Sequence, residues 1–293
     1  MDELTFRQAD RADVPKMAGL FTKRPPKERV ARMTRRFGRE PDGWYVAELK
    51  GEIVGCCQAV FPRPKDCWLQ WMRIGPNTQG SGVGGAFADY LDRQVLAKGA
   101  EVVRLNTLPG NVRVHAMMGG VRGYTEWARW TRWNRLAQKP ALGLARLRQV
   151  AHADDAEDVL AWLEGQVGYQ ASFAAVTCPD DFRKTVSLDR SLLQELIRGK
   201  KRGGCVLAGA DGDMEAAALY AVQGQELRIL QLVAATTAGG LAAAAGAIRE
   251  AKPVERVSIQ LAGASTELMR AIQRSFAGPH LKKHEFYVFG KRL

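Results

Sequence analysis

The sequence predicts an α/β protein, with helices set on mixed parallel and antiparallel sheets (an α+β mixed sheet). Segments with strand-like and helix-like apolar spacing alternate along the chain. The length of 293 residues exceeds one ordinary domain, and a hydrophobic content of 46% is enough for two cores. The second half also repeats short patterns of the first half in the same order. We therefore expect two domains of similar architecture.

In the first half, alternating apolar residues predict strands, and apolar residues three and four positions apart predict helices. The predicted strands are Leu4–Gln8, Trp44–Leu49, Glu52–Phe61, Trp68–Arg73, Val102–Thr107 and Glu126–Leu136. The predicted helices are Asp10–Phe21, Lys27–Arg39, Ala86–Leu96 and Asn111–Arg122. Lys50-Gly51 is typical of a hairpin turn, which would join the second strand to the third.

The second half resembles a copy of the first. Phe6–Asp13 recurs as Leu147–Asp154, Gly43–Glu52 as Gly204–Asp213, and Lys98–Leu105 as Lys252–Ile259. Each match is weak alone, but chance rarely produces the same order. Lys139-Pro140 interrupts regular structure, so we place the join near Gln138–Gly143. The predicted domains are residues 1–138 and 144–293.

The stretch from Ile74 to Gly85 carries the main functional signal. It reads Ile-Gly-Pro-Asn-Thr-Gln-Gly-Ser-Gly-Val-Gly-Gly and lies between a predicted strand and a predicted helix. At a helix start the first N–H groups lack acceptors and the helix dipole is positive, which suits a phosphate. Glycine also permits positive φ angles and close approach of a ligand. We expect a phosphorylated cofactor here; a glycine-rich turn without a ligand is the alternative.

Two common phosphate-binding patterns fit this stretch poorly. A P-loop needs a lysine and a serine or threonine after its last glycine, where Ala86 and Phe87 stand. Gly80-x-Gly82-x-x-Gly85 does match the dinucleotide fingerprint. However, Pro76–Gln79 separates it from the strand that it should follow directly, and Glu101 opens the next strand rather than closing it.

A third pattern fits better. Gln79-x-x-Gly82-x-Gly84, preceded by Ile74-Gly75-Pro76, resembles the acetyl-CoA-binding signature of the GNAT N-acetyltransferase superfamily. The order of predicted elements in about the first half of the chain also resembles a domain of this superfamily. The resemblance implies two tandem GNAT-like acyl-CoA N-acyltransferase domains, with acetyl-CoA as the cofactor.

The resemblance also implies a set of cofactor-binding residues. In this family the strand before the signature is bulged and splays from the next strand, and the pantetheine arm lies between them. The backbone N–H near Ile74 would then polarise the thioester carbonyl, and the loop amides would hold the pyrophosphate. The implied residues are Ile74, Gln79, Gly80, Ser81, Gly82, Val83, Gly84 and Asn111. Asn111 has a second interpretation as a helix cap, and both interpretations stay open.

The catalytic residues are not identified by the sequence. Acyl transfer needs a base for the amine, an oxyanion donor and a proton for the leaving thiolate. Family members often place a tyrosine four residues before the Gly-Phe/Tyr pair, but here Gly119, beside Met118, occupies that position before Gly123-Tyr124. Unassisted departure of the thiolate, protonation by water and an impaired site remain alternatives. The candidates for the base are Glu48, Asp66 and His115, and the pattern shows no metal site.

In the second half, the stretch equivalent to the glycine loop should follow the predicted strand Leu227–Val233. It reads Ala234-Ala235-Thr236-Thr237-Ala238-Gly239-Gly240, without the glutamine and first glycine of the signature. We therefore expect one working site, in the first domain. The second copy would be structural or would shape the substrate cleft.

Much of the net charge of +12 is concentrated in a predicted basic helix and the residues before it. The cations are Lys23, Arg24, Lys27, Arg29, Arg32, Arg35, Arg36 and Arg39. Val30, Met33 and Phe37 form an apolar stripe on the same helix, so a solvated face or steering of an anionic cofactor is favoured over nucleic-acid binding. A basic helix beside the acceptor cleft would favour a neutral or anionic acceptor.

The remaining composition favours a cytoplasmic protein. The N-terminus lacks the profile of a signal peptide, and no apolar run reaches the ~20 residues that span a bilayer. The alanine-rich stretch Leu241–Ile248 is typical of a packed helix. Five cysteines without a C-x-x-C pair favour free thiols.

Two classes of function follow from these observations. The first is acetyl-CoA-dependent N-acetyl transfer to a small-molecule or peptide amine, without a membrane partner. The second is a noncatalytic tandem module that binds acyl-CoA or a protein partner. The pattern identifies neither the acceptor nor the oligomeric state.

Overall fold

The structure is a computed structural model. It describes residues 3–21, 26–119, 123–134, 147–199, 203–209, 213–251, 254–262, 266–276 and 282–293. The chain forms two compact units, Met1–Thr125 with Phe289–Leu293, and Glu126–Val288. The predicted join near Gln138–Gly143 lies outside the described residues, so the domain limits at 138 and 144 stay predictions.

The first unit alternates strands and helices in the predicted order. Its strands are β1 (Leu4–Gln8), β2 (Trp44–Leu49), β3 (Glu52–Arg63), β4 (Asp66–Ile74) and β5 (Val102–Thr107). Its helices are α1 (Val14–Gly19), α2 (Pro26–Arg39), α3 (Val83–Ala97) and α4 (Val112–Met118). Each of the strands β1 to β4 pairs antiparallel with the next one along the chain, and β4 pairs parallel with β5. Residues 120–122 of the predicted helix Asn111–Arg122 lie outside the described residues.

Helices cover both faces of this sheet. On one face, Met17 of α1 and Met33 of α2 pack with Trp44 and Val46 in a buried cluster. On the other face, the ring of Phe6 stacks on Phe87 of α3 at 5.7 Å. The hairpin turn is as predicted, since Lys50 and Gly51 both have positive φ, as a type I′ turn requires.

The second unit contains both parallel and antiparallel strand pairs. Its strands include β6 (Thr125–Asn134), β7 (Leu147–Val150), β10 (Gly203–Ala208), β11 (Ala216–Gln223), β12 (Glu226–Ala234) and β13 (Arg256–Ala262). A separate hairpin consists of β8 (Ala175–Thr177) and β9 (Thr185–Ser187). The helices are α5 (Ala156–Glu164), α6 (Val167–Gln170), α7 (Arg190–Ile197), α8 (Thr237–Glu250) and α9 (Thr266–Phe276). The last strand, β14 (Lys282–Arg292), has residues in both units.

The strand predicted at Glu126–Leu136 is observed as β6. It pairs antiparallel with β13 inside the second unit. Aromatic burial explains this placement. Trp133 packs in one core of the second unit with Val257 and Ile259. Trp130 packs in another with Phe286.

Three further expectations about composition can be compared with the structure. All five cysteines are free, as expected, and the structure shows that all five are also buried. The alanine-rich stretch lies in α8 and is largely buried, which confirms the packed helix. Within the described ranges, no helix is long and apolar enough to cross a membrane, and no cluster of metal-ligating side chains was found.

Candidate active site

The strand that leads to the glycine loop is bulged. In the pairing of β3 with β4, Cys56 lies opposite Arg73 and Gln58 opposite Gln70, so β4 holds one extra residue. Trp71, inside this bulge, has a φ of +58°, which is unusual for a bulky side chain. The bulge that the family resemblance implied is therefore present.

Beyond the bulge, β4 leaves its parallel neighbour. The described pairing of β4 with β5 joins Asp66–Trp68 to Val102–Arg104 and ends there, although β4 continues to Ile74. The backbone edge of Leu69–Ile74 on that side is thus not covered by the described pairing with β5. The expected splay between the two strands is also confirmed, and it lies next to the glycine loop.

The glycine loop presents backbone amides at the start of α3. Gly80 and Gly82 both have φ of +86°, and Gly82 directly precedes the helix. The first hydrogen bond across the helix start runs from Ala86 N–H to the Gly82 carbonyl at 3.1 Å. The preceding amides of Val83–Gly85 therefore have no acceptor within the helix. Residues 80–82 are exposed, so these amides lie beside an accessible loop.

The glycines of this loop serve two different purposes. A Cβ added at Gly80 or Gly82 would meet nothing within 4 Å, so these two are required by their positive φ. A Cβ added at Gly84 would lie 3.3 Å from Met117 Sδ and 3.4 Å from Ile74 Cγ1. A side chain at Gly84 would therefore crowd Met117 and Ile74, because the helix passes close to the end of β4.

Gln79 holds the loop to the strand. Its Nε2 donates to the Ile74 carbonyl at 3.0 Å, and its Oε1 accepts a short hydrogen bond from Arg113 of α4. This contact places an exposed cation beside the glycine loop. Sequence reasoning missed Arg113, because nothing in its own segment marks it and only the fold brings α4 to Gln79.

Asn111 precedes α4, as expected, but its side chain caps no helix amide. Its Nδ2 instead donates to Thr107 Oγ1, at the end of β5, at 3.0 Å. The simple interpretation of Asn111 as a side-chain cap is therefore not met, and its contact with a cofactor stays a prediction.

The structure separates the three candidate bases. Asp66 is buried and forms an ion pair with Arg104. It is the first residue of β4 and Ile74 is the last, so the rise of the strand separates them by roughly 25 Å. Glu48 is paired with Arg7 at 2.7 Å, and the same guanidinium binds Asp13 at 2.6 Å. His115 Nε2 lies 3.2 Å from the Leu108 carbonyl oxygen.

Tyr124 packs in the protein interior. Its ring is buried, and its hydroxyl donates to Asp92 Oδ1 at 2.7 Å, while Lys291 Nζ donates to Asp92 Oδ2 at 2.8 Å. Burial raises the pKa of Tyr124 well above its usual value. Tyr124 is therefore a poor proton donor, and Met118 is fully buried and has no titratable group.

Part of the basic helix α2 faces the bulge rather than solvent. Arg32 and Arg36 lie over the Trp71 ring, with 4.9 and 5.4 Å from guanidinium carbon to ring centroid. Lys27, Arg35 and Arg39 are exposed on the same helix. Lys23 and Arg24, which belong to the same charged run, lie outside the described residues.

With this geometry established, the chain can be compared with known proteins. Residues 14–124 match the model of the acetyltransferase (GNAT) family. The GNAT match includes the bulged strand, the glycine loop and Asn111. A comparison with curated proteins gave no match.

One solved structure supports the fold over the whole chain, and a second is similar to a lower degree. A GCN5-related N-acetyltransferase from Sphaerobacter thermophilus matches with a TM-score of 0.55 at 14% identity, covering 100% of this chain and 96% of that one. One from Kribbella flavida matches with a TM-score of 0.46 at 14% identity, covering 98% and 70%. The first of these similarities shows that this chain shares a mixed α/β fold with the Sphaerobacter thermophilus protein.

Proposed function

We propose that the chain is an acetyl-CoA-dependent N-acetyltransferase acting on the amine of a small molecule or peptide. One observation carries the proposal. A bulged strand splays from its parallel neighbour and leads into a glycine loop at a helix start, inside the segment that matches the GNAT family. This arrangement offers a gap for an extended arm and amides for phosphates at the same end of the sheet.

The described residues fit the phosphates of CoA. Residues 80–82 are exposed, the helix start has no side-chain cap, and Gly84 leaves the backbone close to the end of β4. We propose that backbone amides of Gly80, Ser81, Gly82, Val83 and Gly84 bind the pyrophosphate. Gln79 would keep the loop in place, and Arg113 would add a positive charge beside it. Ile74 and Asn111 would border the gap between β4 and β5.

The chain's own residues would orient the reactants. The uncovered backbone of Leu69–Ile74 would align the extended arm and polarise the thioester carbonyl. When bound, acetyl-CoA supplies an activated acetyl group: the amine nitrogen bonds to the acetyl carbon, the carbon–sulfur bond breaks, and the proton lost by the amine balances the one taken up by the thiolate. Because Glu48 and Asp66 are each ion-paired, we propose that water, rather than either carboxylate, accepts the proton of the amine.

We propose that the second unit is a degenerate repeat that binds no CoA. Its strand β12 also carries a bulge opposite β11, and its described parallel pairing with β13 ends at Ile229, before the strand does. However, the following helix α8 is capped by Thr236, whose Oγ1 accepts from Gly239 N–H at 3.0 Å. A calorimetric titration should therefore saturate at one CoA per chain. Two bound CoA molecules would contradict this proposal.

A noncatalytic module that binds acyl-CoA is the second candidate. The observation that favours it is the lack of a titratable side chain at Met118 and Gly119, where the family often has its acid. A direct assay distinguishes the two candidates. Acetyl-CoA and a panel of amines would be incubated with the protein, and CoA release would be followed with a thiol-detecting dye.

The protein's own thiols should interfere little with this dye. Burial raises the pKa of Cys56, Cys67 and Cys205 to about 12, so these thiols are protonated and inaccessible at neutral pH. CoA release that depends on an amine supports the enzyme. Saturable binding of acetyl-CoA without release in the presence of any amine supports the noncatalytic module.

A further inference from the structure

The bulge of β4 carries an aromatic pair surrounded by guanidinium groups. The rings of Phe21 and Trp71 meet edge to face at 5.5 Å between centroids. Arg32 lies over Trp71 at 4.9 Å, and Arg73 lies over Phe21 at 5.0 Å. Arg36 is 5.4 Å from the centroid of Trp71. We call Phe21, Arg32, Arg36, Trp71 and Arg73 the arginine–aromatic cluster.

Within the described chain, two of these arginines lack an anionic partner. Neither Arg32 nor Arg73 forms an ion pair with a described carboxylate, and the buried Nε of Arg32 donates no hydrogen bond. Of the nearby acids on or after α2, Glu28 is exposed and Glu40 accepts from Gln58 at 2.8 Å. Cation–π contacts stabilise single guanidiniums, but they do not remove the mutual repulsion of several.

The cluster lies beside the gap between β4 and β5. Trp71 and Arg73 both belong to Leu69–Ile74, the part of β4 beyond its described pairing with β5. Trp71 faces α2, whereas the side chain of Ile74 lies against Gly84 of α3, on the other face of the sheet. Trp71 and Ile74 are three positions apart along the strand, or about 10 Å. A molecule in the gap can therefore have one end near Ile74 and the other near the cluster.

We propose that the arginine–aromatic cluster binds an oxyanion carried by the acceptor, so that the acceptor is a small amine bearing a carboxylate or a phosphate. A guanidinium pairs with either group through two parallel N–H donors, and the buried Nε of Arg32 would gain an acceptor. The aromatic rings fix the positions of the guanidiniums before the ligand arrives. This inference rests on the proposed acetyl transfer, because the gap is assigned to the reacting thioester.

The test compares acceptors that differ only in the oxyanion. Amino acids would be compared with their α-amides as acceptors, which tests for a carboxylate. Phosphoethanolamine would be compared with ethanolamine, which tests for a phosphate. We expect kcat/KM to be at least tenfold higher for the oxyanion-bearing member of one pair. Arg32→Gln and Arg73→Gln should each lower this ratio of kcat/KM values about tenfold. The decrease should come mainly from a higher KM for the oxyanion-bearing amine, while kcat/KM for the neutral amine should change little. Arg35→Gln, an exposed change of equal charge on the same helix, should stay within twofold of the wild type.

The outcomes separate this inference from the proposed function. Absence of acetyl-CoA binding in calorimetry would overturn the proposed function itself. If acetyl-CoA binds but no oxyanion-bearing amine is preferred, the inference is wrong. The same holds if Arg35→Gln lowers the preference as much as Arg32→Gln. Thermal unfolding checks that each variant is folded, and Arg73→Gln, which changes an exposed residue, keeps the test valid if Arg32→Gln is unstable.

Discussion

The glycine loop of the first unit and the stretch Ala234–Gly240 of the second unit occupy the same place in similar topologies. Each follows a bulged strand whose described parallel pairing ends early, and each leads into a helix. They differ in what fills the helix start. In the first unit, Gly82 provides no side chain there. In the second, Thr236 Oγ1 accepts from the Gly239 amide and also donates to Glu215 Oε2 at 2.8 Å.

On the proposed function, this difference would explain why the first unit has an anion site and the second does not. The positive end of a helix binds an anion from solution only if the chain has not already satisfied it. In the second unit the chain places its own hydroxyl and carboxylate at that end. A Cβ added at Gly239 would also lie 3.0 Å from Glu215 Cβ, so this stretch is closely packed. The site therefore depends on a few residues on the fold, not on the fold itself.

Among the changes that test this difference between the two units, we expect Gly82→Asp to have the largest effect on acetyl-CoA affinity. A side chain at φ +86° is strained, and its carboxylate would repel the pyrophosphate at the helix start. We expect acetyl-CoA affinity to fall at least ~100-fold, or roughly 3 kcal/mol. Calorimetry would measure it.

Gly99→Asp provides a matched control for this change. Gly99 follows the opposite end of α3, has a φ of +85°, and like Gly82 has nothing within 4 Å of an added Cβ. Both variants carry the same strain and charge, but only one lies at the proposed phosphate site. Equal loss of affinity in the two variants would show that the effect comes from backbone strain or added charge in general, and not from a phosphate site at Gly82.

A smaller effect is expected from Arg113→Gln. The first unit has a cation beside its loop, and this change removes the charge while Gln79 keeps its bond to the Ile74 carbonyl. Losing one charge-assisted contact with a phosphate should weaken acetyl-CoA binding by about tenfold, or ~1.4 kcal/mol. The loss should shrink as salt is added, because the contact is exposed. If Arg113→Gln binds acetyl-CoA as tightly as the wild type at low salt, the phosphates do not lie beside Arg113.

The sequence predicted the elements of the first unit well and parts of the site less well. Strands such as Leu4–Gln8 and Val102–Thr107 were predicted with their observed limits, because local apolar spacing determines them. The bulge was expected only from the family resemblance, since no local rule predicts a positive φ at Trp71. The contacts of Arg113 with Gln79 and of Glu215 with Thr236 join segments 34 and 21 residues apart, so they depend on the fold.

The pairing of β6 could not be predicted from the sequence for a related reason. The pattern of Glu126–Leu136 predicts a strand, but the alternation of apolar and polar residues does not indicate which strand it pairs with. Trp130 and Trp133 are buried among residues near the C-terminal end of the chain, including Phe286 and Val257. A prediction from neighbouring segments could not weigh such distant contacts.

The smallest effect concerns the second unit alone. Thr236→Val keeps the size and branching of the side chain but removes the hydroxyl that caps α8, so Gly239 N–H loses its acceptor and Glu215 loses a donor. Loss of a helix cap should lower the free energy of unfolding by about 1 kcal/mol. Because we place no cofactor in the second unit, acetyl-CoA affinity should stay within twofold of the wild type. Denaturant unfolding and calorimetry on the same preparation would measure both quantities. Weaker acetyl-CoA binding in a variant that is otherwise folded would show that the capped helix start contributes to the site, and the contrast between the two loops would then be wrong.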